Sequence, residues 1–389
     1  MASSAAPVAP SAKPIIGSAA VTPRCAISAV AWRDLAQELA AWDTLADKAC
    51  EPNPFFESWH LLPSLEAYDP RGDLRVLRFE HDGRLAGLLP LVRSSKYYGR
   101  PVPHLASWLH DNTFLGTPLV ASGCEVEFWH AALGWADRNA GASLFLHLAD
   151  ISLDGPLFGA LSAVLDTQGR KGWIVQREER ALLLSSLDAE QYRSSALSSN
   201  KRKDLRRRMN RLAELGEVQF VWQDDDSGIA DWCSQFLELE MSGRKGKNGS
   251  AMGQLAAKAA IFTQSLTVAA KRGKLLRLAL HLNGNPVAML STFVAPPGGF
   301  GYKTAFDEQY GRHAPGVLLE NEFLSVLDHN RFDWCDGCAA ADHAVVNEFW
   351  RERRPIAKIS IAIGGPLRRQ IFNQILRFEK GKTAIGVQA

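Results

Sequence analysis

The order of elements along this chain repeats, and that repeat constrains the fold more than any single motif. Two segments carry the strongest short-range hairpin signal, apolar runs joined by a tight Asp-Gly or Asn-Gly turn: Leu74–Phe79 and Leu85–Leu91 around Asp82-Gly83, and Leu275–Leu282 and Val287–Val294 around Asn283-Gly284. Helical spacing precedes each hairpin, over Trp32–Leu45 and from Asn53 to His60 in the first half, and over Ile229–Met241 and Gln254–Lys271 in the second. After the first hairpin an irregular stretch holds Trp108-Leu-His-Asp111 and Phe114-Leu-Gly-Thr-Pro118. It leads to a helix over Val126–Arg138, a strand over Ser143–Leu148, a helix over Leu157–Thr167 and a strand over Trp173–Leu184. The second half opens on a strand over Val218–Trp222. After its hairpin come a strand over Phe300–Phe306, a helix over Gly316–Leu327, and strand, helix and strand over Phe332–Trp334, His343–Trp350 and Ile356–Ile363. An α/β order replayed over about 170 residues implies two copies of one mixed-sheet fold.

Length agrees, since 389 residues exceed one ordinary core. The expected division is a disordered tail over 1–24, rich in Ala, Ser and Pro, then domains over 25–185 and 186–389. No apolar run reaches the roughly 18 residues of a spanning helix, and the amino terminus lacks the apolar core of a signal peptide, so a cytoplasmic protein is expected. A net charge of +2 demands no nucleic-acid or membrane partner. Six scattered cysteines make no disulfide framework, and Cys335-Asp-Gly-Cys338 stands without a second pair, so no metal site is expected.

One segment departs from this neutrality. Between Lys201 and Arg211 lie seven basic residues and one acid, with Leu205, Met209 and Leu212 as a thin apolar stripe. It reads either as a solvated linker helix or as a surface for a phosphate-rich partner. Without aromatics among its charges, single-stranded nucleic acid is a poor fit.

The stretch from Gly301 to Glu320 passes from a strand through a Gly/Pro loop into a helix. Such a loop is either a plain connector or an anion cradle, with unpaired N–H groups at a helix start. On the second reading Gly311, Arg312, His313, Ala314 and Gly316 form the cradle, the glycines permitting close approach or positive φ and Arg312 pairing with a phosphate.

Taken together, these residues resemble the CelD/BcsL-like acyltransferases, a branch of the GNAT superfamily related to the Fem peptidyltransferases. The likeness runs from Leu197 to Arg354. It is carried by Lys201-Arg-Lys-Asp-Leu-Arg-Arg207, Phe236-Leu-Glu-Leu-Glu-Met-Ser-Gly-Arg-Lys-Gly246, Tyr302-Lys-Thr-Ala-Phe-Asp307, Pro315-Gly316 and Ala341-Asp-His-Ala-Val-Val-Asn-Glu-Phe-Trp-Arg-Glu-Arg-Arg354. The amino-terminal half matches mostly through Pro54-Phe-Phe56, Leu89-Pro90 and Gly116-Thr-Pro-Leu119. The loop lacks the full glycine pattern of ordinary GNAT enzymes. The resemblance implies tandem GNAT-like domains and acyl transfer from acetyl-CoA or another acyl-CoA as co-substrate, with no permanently bound cofactor. It further implies a sugar or amine acceptor in surface-polysaccharide synthesis, with contact to that machinery at the inner membrane surface. A Fem-type transferase using aminoacyl-tRNA is the enzymatic alternative. A regulatory protein holding a cyclic dinucleotide on Arg351–Arg354 and Arg368-Arg369 is the non-enzymatic one.

Acyl transfer to an amine needs a base for the amine and a proton for the leaving thiolate, and no covalent nucleophile. Three clusters offer such groups. Asp342 is expected to cap the helix that His343 opens. Glu240 ends a helix before the basic Arg244 and Lys245, placed to meet the acceptor. Lys303 and Asp307 share one strand face by alternation, as an ion pair or a substrate clamp. His110 and Asp111, in the irregular stretch, are expected in a cleft between the domains.

Overall fold

The computed structural model describes residues 24–377, 379 and 381–385, so the expected tail over 1–24 lies outside the described residues except for Arg24. The repeat is present in full. The first half supplies strands β1 (Cys25–Ala31), β2 (Arg75–His81), β3 (Arg84–Ser94), β4 (His104–Ser107), β5 (Phe145–Ser152) and β6 (Gly172–Leu183). The second half supplies β7 (Val218–Gln223), β8 (Leu275–Leu282), β9 (Asn285–Ala295), β10 (Gly298–Phe306), β11 (Trp334–Asp336) and β12 (Glu352–Ala362). Both hairpin turns take left-handed φ at their two central residues, Asp82 and Gly83 at 49° and 72°, Asn283 and Gly284 at 50° and 79°, which matches the twist of the flanking strands.

These twelve strands form the path of one fourteen-stranded sheet, in the order β1-β2-β3-β4-β5-β12-β6-β11-β10-β9-β8-β7, with the short Leu119–Val120 added on β3 and Thr383–Ala384 on β6. The centre of that order is an exchange. β12, the last long strand of the second half, inserts between β5 and β6, and β6 of the first half lies between β12 and β11. Each half completes the other's sheet.

A buried ion cluster holds this seam. Asp336 on β11 is fully buried, with its Oδ2 accepting from Arg354 of β12 at 3.1 Å and 3.8 Å from Arg180 of β6. Its Oδ1 accepts from the Cys338 backbone N–H at 2.8 Å. Both arginines are buried too, so each charge relies on the others for its missing hydration. Cys335 and Cys338 sit beside the cluster as free thiols, which burial pushes well above the usual thiol range.

The halves also share apolar core. Phe55, Trp59 and Leu115 of the first half pack with Phe236, Phe262, Phe293 and Phe300 of the second. The Ser58–Tyr68 helix lies on its counterpart, Ala256–Lys271.

Several local expectations change. The single helix over Trp32–Leu45 is two, Trp32–Leu35 and Leu39–Asp47, because non-helical backbone at Glu38 turns the chain so that both Trp32 and Trp42 reach the core. β1 precedes them, Cys25-Ala-Ile-Ser-Ala-Val-Ala31 pairing along its whole length with β2. The irregular stretch conceals β4, and a helix follows at Pro366–Arg377. Among the described residues no helix is long and apolar enough to cross a membrane.

Candidate active site

β10 carries the local irregularity on which the site is built. Ser291 pairs with Lys303 and Thr292 with Gly301, so Tyr302 is an extra residue without a partner on β9. A bulge disrupts the ladder and bends its strand. On its other edge β10 meets β11 over three residues only, Gly298–Phe300. Beyond them the two parallel strands part, and the Pro315–Phe323 helix covers the gap. The result is a cleft of about 580 Å3.

The loop over 308–316 forms its mouth. Gly311, Ala314 and Gly316 line the cleft. The positive φ expected at a glycine falls instead on Ala314, at 52°, the residue that turns the chain from a 3-10 segment, Glu308–His313, into the helix. Gly316 serves by size, since a Cβ there would lie 3.2 Å from the Phe306 ring. With Pro315 at the first helical position and no acid in the first turn, the helix start is suited to an anion. Arg312 is exposed and donates from Nε to His313 Nε2 at 2.9 Å. His313 is buried, its Nδ1 without a partner. Burial, then the charges of Arg312 and of Arg211 on the basic helix, hold it below the usual histidine value. The basic helix, Ser199–Ala213, therefore flanks this mouth, with Leu205 and Leu212 buried as its apolar stripe. Part of its charge is internally spent: Asp204 pairs with Arg207 and Arg208, and Lys201 with Glu348 at 2.7 Å.

At the inner end lies Lys303. Its ammonium stands 4.8 Å from the Phe114 ring centre and 5.5 Å from that of Tyr302. Burial, then the neighbouring charge of Lys245, draw it down to about 8. The expected partner is absent from its side: Asp307 turns away to cap the 3-10 segment, accepting from Gln309 N–H at 2.8 Å, because the strand ends at Phe306 and alternation ends with it. Glu240 is no solvated helix end. It is 6% exposed, one oxygen accepting from Lys245 Nζ and the other from Met252 N–H, both at 2.7 Å. Arg244 and Lys245 line the cleft, and the Arg244 N–H is held by Glu308.

The first half reaches this place as well. Asp111 pairs with Lys258 of the second half at 2.7 Å, and that contact holds its carboxyl below the usual range. His110 bonds to Ser64 Oγ at 2.9 Å, stacks on His60 and is drawn down to about 4 by burial. His60 is wholly buried, with neither ring nitrogen partnered, 5.7 Å from the Tyr302 ring. Lys303, His110 and Asp111 thus sit in one electrostatic neighbourhood, where the halves meet.

The Asp342-His343 pair is arranged differently from expectation. His343, not Asp342, caps the Ala344–Phe349 helix, its Nδ1 accepting from Val346 N–H at 3.2 Å. A six-residue helix so close to the sheet leaves the imidazole, one position nearer, to reach that N–H. Both residues are exposed, and of the two His343 lines the cleft.

Glu320 is the residue the sequence pattern concealed. It lies one turn beyond Gly316, lines the cleft, and burial pushes its carboxyl up to about 7. The available signal was the stripe Gly316–Glu320–Phe323, spaced to share one helix face.

Residues 199–357 match the acetyltransferase (GNAT) domain family. No curated protein matches the chain in sequence. Solved structures share its fold across nearly their whole length. FemX is 10% identical with a TM-score of 0.54, over 87% of this chain and 98% of that one. The C-terminal domain of a putative lysylphosphatidylglycerol synthetase from Agrobacterium fabrum is 13% identical with a TM-score of 0.52, over 91% and 98%. A conserved protein of unknown function from Bacteroides thetaiotaomicron is 12% identical with a TM-score of 0.54, over 83% and 97%. The cleft between β10 and β11 lies inside the residues that match the acetyltransferase (GNAT) domain family.

Proposed function

We propose that the protein transfers an acyl group from an acyl-CoA thioester to an amine of a sugar or sugar-linked acceptor. The observation that carries this reading is the cleft at the Tyr302 bulge, with an anion-suited helix start at one end and a lysine near pH 8 at the other. In this reading the pyrophosphate rests on the backbone of Gly311–Gly316, and the thioester carbonyl lies at the bulge, where β10 has N–H groups outside the ladder. The acceptor enters past Glu240, Arg244, Lys245, His110 and Asp111. Neutral Lys303 takes a proton from the acceptor ammonium, and the free amine attacks the carbonyl. The new C–N bond forms as the C–S bond breaks, and the second amine proton goes to the departing thiolate. Lys245 and Lys258 stand near Lys303 and keep it from holding its own proton tightly. The resemblance read from the sequence is what supports a surface-polysaccharide acceptor.

Purified protein incubated with acetyl-CoA, other acyl-CoA esters and a panel of amino sugars should release thiol with at least one pair. The absence of both thiol release and coenzyme A binding, the latter read by calorimetry, would remove this reading.

One observation favours a second. The basic helix flanks the mouth, with Arg211 acting on His313, and this suits a donor carried on RNA. A gel shift with charged tRNA at low salt, lost steeply as salt rises, would support it. The arginines of the regulatory alternative are engaged within the protein: Arg351 bonds to the Ala196 carbonyl, Arg354 is buried on Asp336, and Arg368 and Arg369 bond to the Gly141 and Gly364 carbonyls.

A further inference from the structure

Resting on the acyl-CoA reading, we propose that the floor of the cleft, built on Glu320, selects an acyl group bearing its own hydrogen-bond donor. That donor is a hydroxyl or amine close to the carbonyl, and a plain alkyl chain is disfavoured. Three buried polar atoms without a hydrogen-bond partner belong to residues lining this one cleft: Glu320 Oε1, Trp350 Nε1 and Thr292 Oγ1, with the Trp350 indole standing beside the Glu320 carboxyl. Native interiors leave few such groups, and several facing one cavity mark a place where a ligand completes the bonding.

Their depth separates the acyl group from its carrier. Glu320 acts on the thiol of Cys335, which pairs with Gly299, and Thr292 pairs with Gly301 beside the bulge. This is the level of the bulge, not of the anion-suited mouth at 311–316. Glu320 lines the cleft and is 5% exposed, so its unpartnered oxygen has no bulk water to satisfy it. An alkyl group there would leave these atoms unpaired. A hydroxyl or amine would donate to Glu320, and a hydroxyl oxygen could also accept from the Trp350 N–H. A site built to bond a polar group rejects the analogue lacking it far more strongly than an apolar pocket rejects a missing methylene.

Three thioesters of matched size separate these outcomes: butyryl-CoA, 3-hydroxybutyryl-CoA and β-alanyl-CoA, with coenzyme A itself as the carrier control. Binding is read by calorimetry without acceptor, and turnover by thiol release with it. The wild-type protein should bind at least one of the two polar esters tenfold or more tightly than butyryl-CoA. Glu320→Leu should bring that ratio within about twofold, since each tenfold is one 1.4 kcal/mol step that the missing bond no longer supplies. Glu320→Met, of similar length and without an acceptor oxygen, gives the same comparison should the leucine variant not fold. Preference for the hydroxy ester or for the amino ester names which donor the floor reads. Equal binding of butyryl-CoA by the wild type, or a ratio unmoved by both substitutions, overturns the proposal. So does an equal loss of coenzyme A binding, which would put Glu320 on the carrier. Failure of every thioester and of coenzyme A would instead strike the acyl-CoA reading itself.

Discussion

The two halves share one succession of strands and helices, yet one has an open cleft and the other has filled the same place with its own backbone. In the second half β10 bulges at Tyr302 and parts from β11. In the first half β3 and β4 pair without a register shift, from Leu91 opposite Ser107 to Ser94 opposite His104. Where β4 and β5 would part, Ser107 Oγ accepts from the Ala149 N–H at 2.9 Å and stitches them together. The following loop closes in as well, with Gly116 N–H bonding to the Asp150 carbonyl at 2.9 Å and no room for a Cβ against the Ala149 carbonyl. The counterpart helix, Glu125–Asn139, begins with two acids, Glu125 and Glu127, where the second half has none. An anion is repelled from one helix start and accommodated at the other. A single extra residue, one serine and two acids therefore distinguish an open parting of two strands from a closed one on the same scaffold. The first half has turned instead to support: it supplies Phe114 against Lys303, Asp111 against Lys258 and β6 to the shared seam.

That contrast breaks first at Lys303. Lys303→Met should lower kcat/KM by about 10²- to 10⁴-fold, the usual span for a positioned proton acceptor, with little change in coenzyme A binding. On the proposed mechanism the neutral amine of Lys303 is the active form, so kcat/KM should rise with pH and level off above about 8. A flat profile from pH 6 to 9 would remove Lys303 from proton transfer.

The second test strikes the seam. Asp336→Asn keeps the shape but removes the buried counter-charge that Arg180 and Arg354 share, leaving Arg354 only Asp154 at 3.7 Å. Removing one partner of a buried ion cluster costs about 3–5 kcal/mol. Because β6 and β12 are exchanged, urea unfolding should show both halves losing structure together at a lower midpoint. A variant that unfolds one half alone would mean the seam does not couple them.

The repeat was legible because its signals are local: two turns with obligatory left-handed residues, and helices with regular apolar spacing. The exchange was not, because β6 and β12 each read as strands while their choice of partners rests on contacts more than half the chain apart, such as Ile359 beside Leu148. β1 escaped because its small residues resemble a lead-in to the Trp32 helix, and β4 because four residues carry no period. The mouth, Lys303 and the His110-Asp111 pair were readable as residue types in loop and strand context. Glu320 was not, since a carboxylate between Leu319 and Asn321 looks like ordinary helix surface until packing buries it. The roles assigned to Glu240 and Asp307 ignored backbone N–H groups that compete for a carboxylate, Met252 for one and Gln309 for the other.

A smaller effect separates strain from fold at Glu320. Its carboxyl titrates near 7 in the folded protein against 4.5 when exposed. Between those values the unfolded chain ionises while the folded one stays protonated, so stability falls as pH rises from about 4.5 to 7 and the full penalty holds above 7. Two and a half pK units correspond to roughly 3 kcal/mol. Glu320→Gln, which stays neutral, should therefore match the wild type at pH 4.5 and exceed its melting temperature at pH 8. An equal difference at both pH values would place the ionisation elsewhere.

The smallest test returns to the two helix starts. Arg312 is exposed at the mouth, and its side chain packs on little but His313, so Arg312→Ala should leave the melting temperature nearly unchanged. If the donor's phosphates rest there, the lost charge-assisted contact should weaken coenzyme A binding about tenfold, the lower end of the range for such bonds. Gly316→Val adds a branched side chain facing Phe306 and should weaken it further by narrowing the cleft. The matching change in the other half, Glu125→Gln, should do nothing to coenzyme A binding, because Ser107 and Gly116 keep that cleft shut whatever the charge at its helix start. If Glu125→Gln alters binding while Arg312→Ala does not, the donor occupies the first half and the contrast between the halves is reversed.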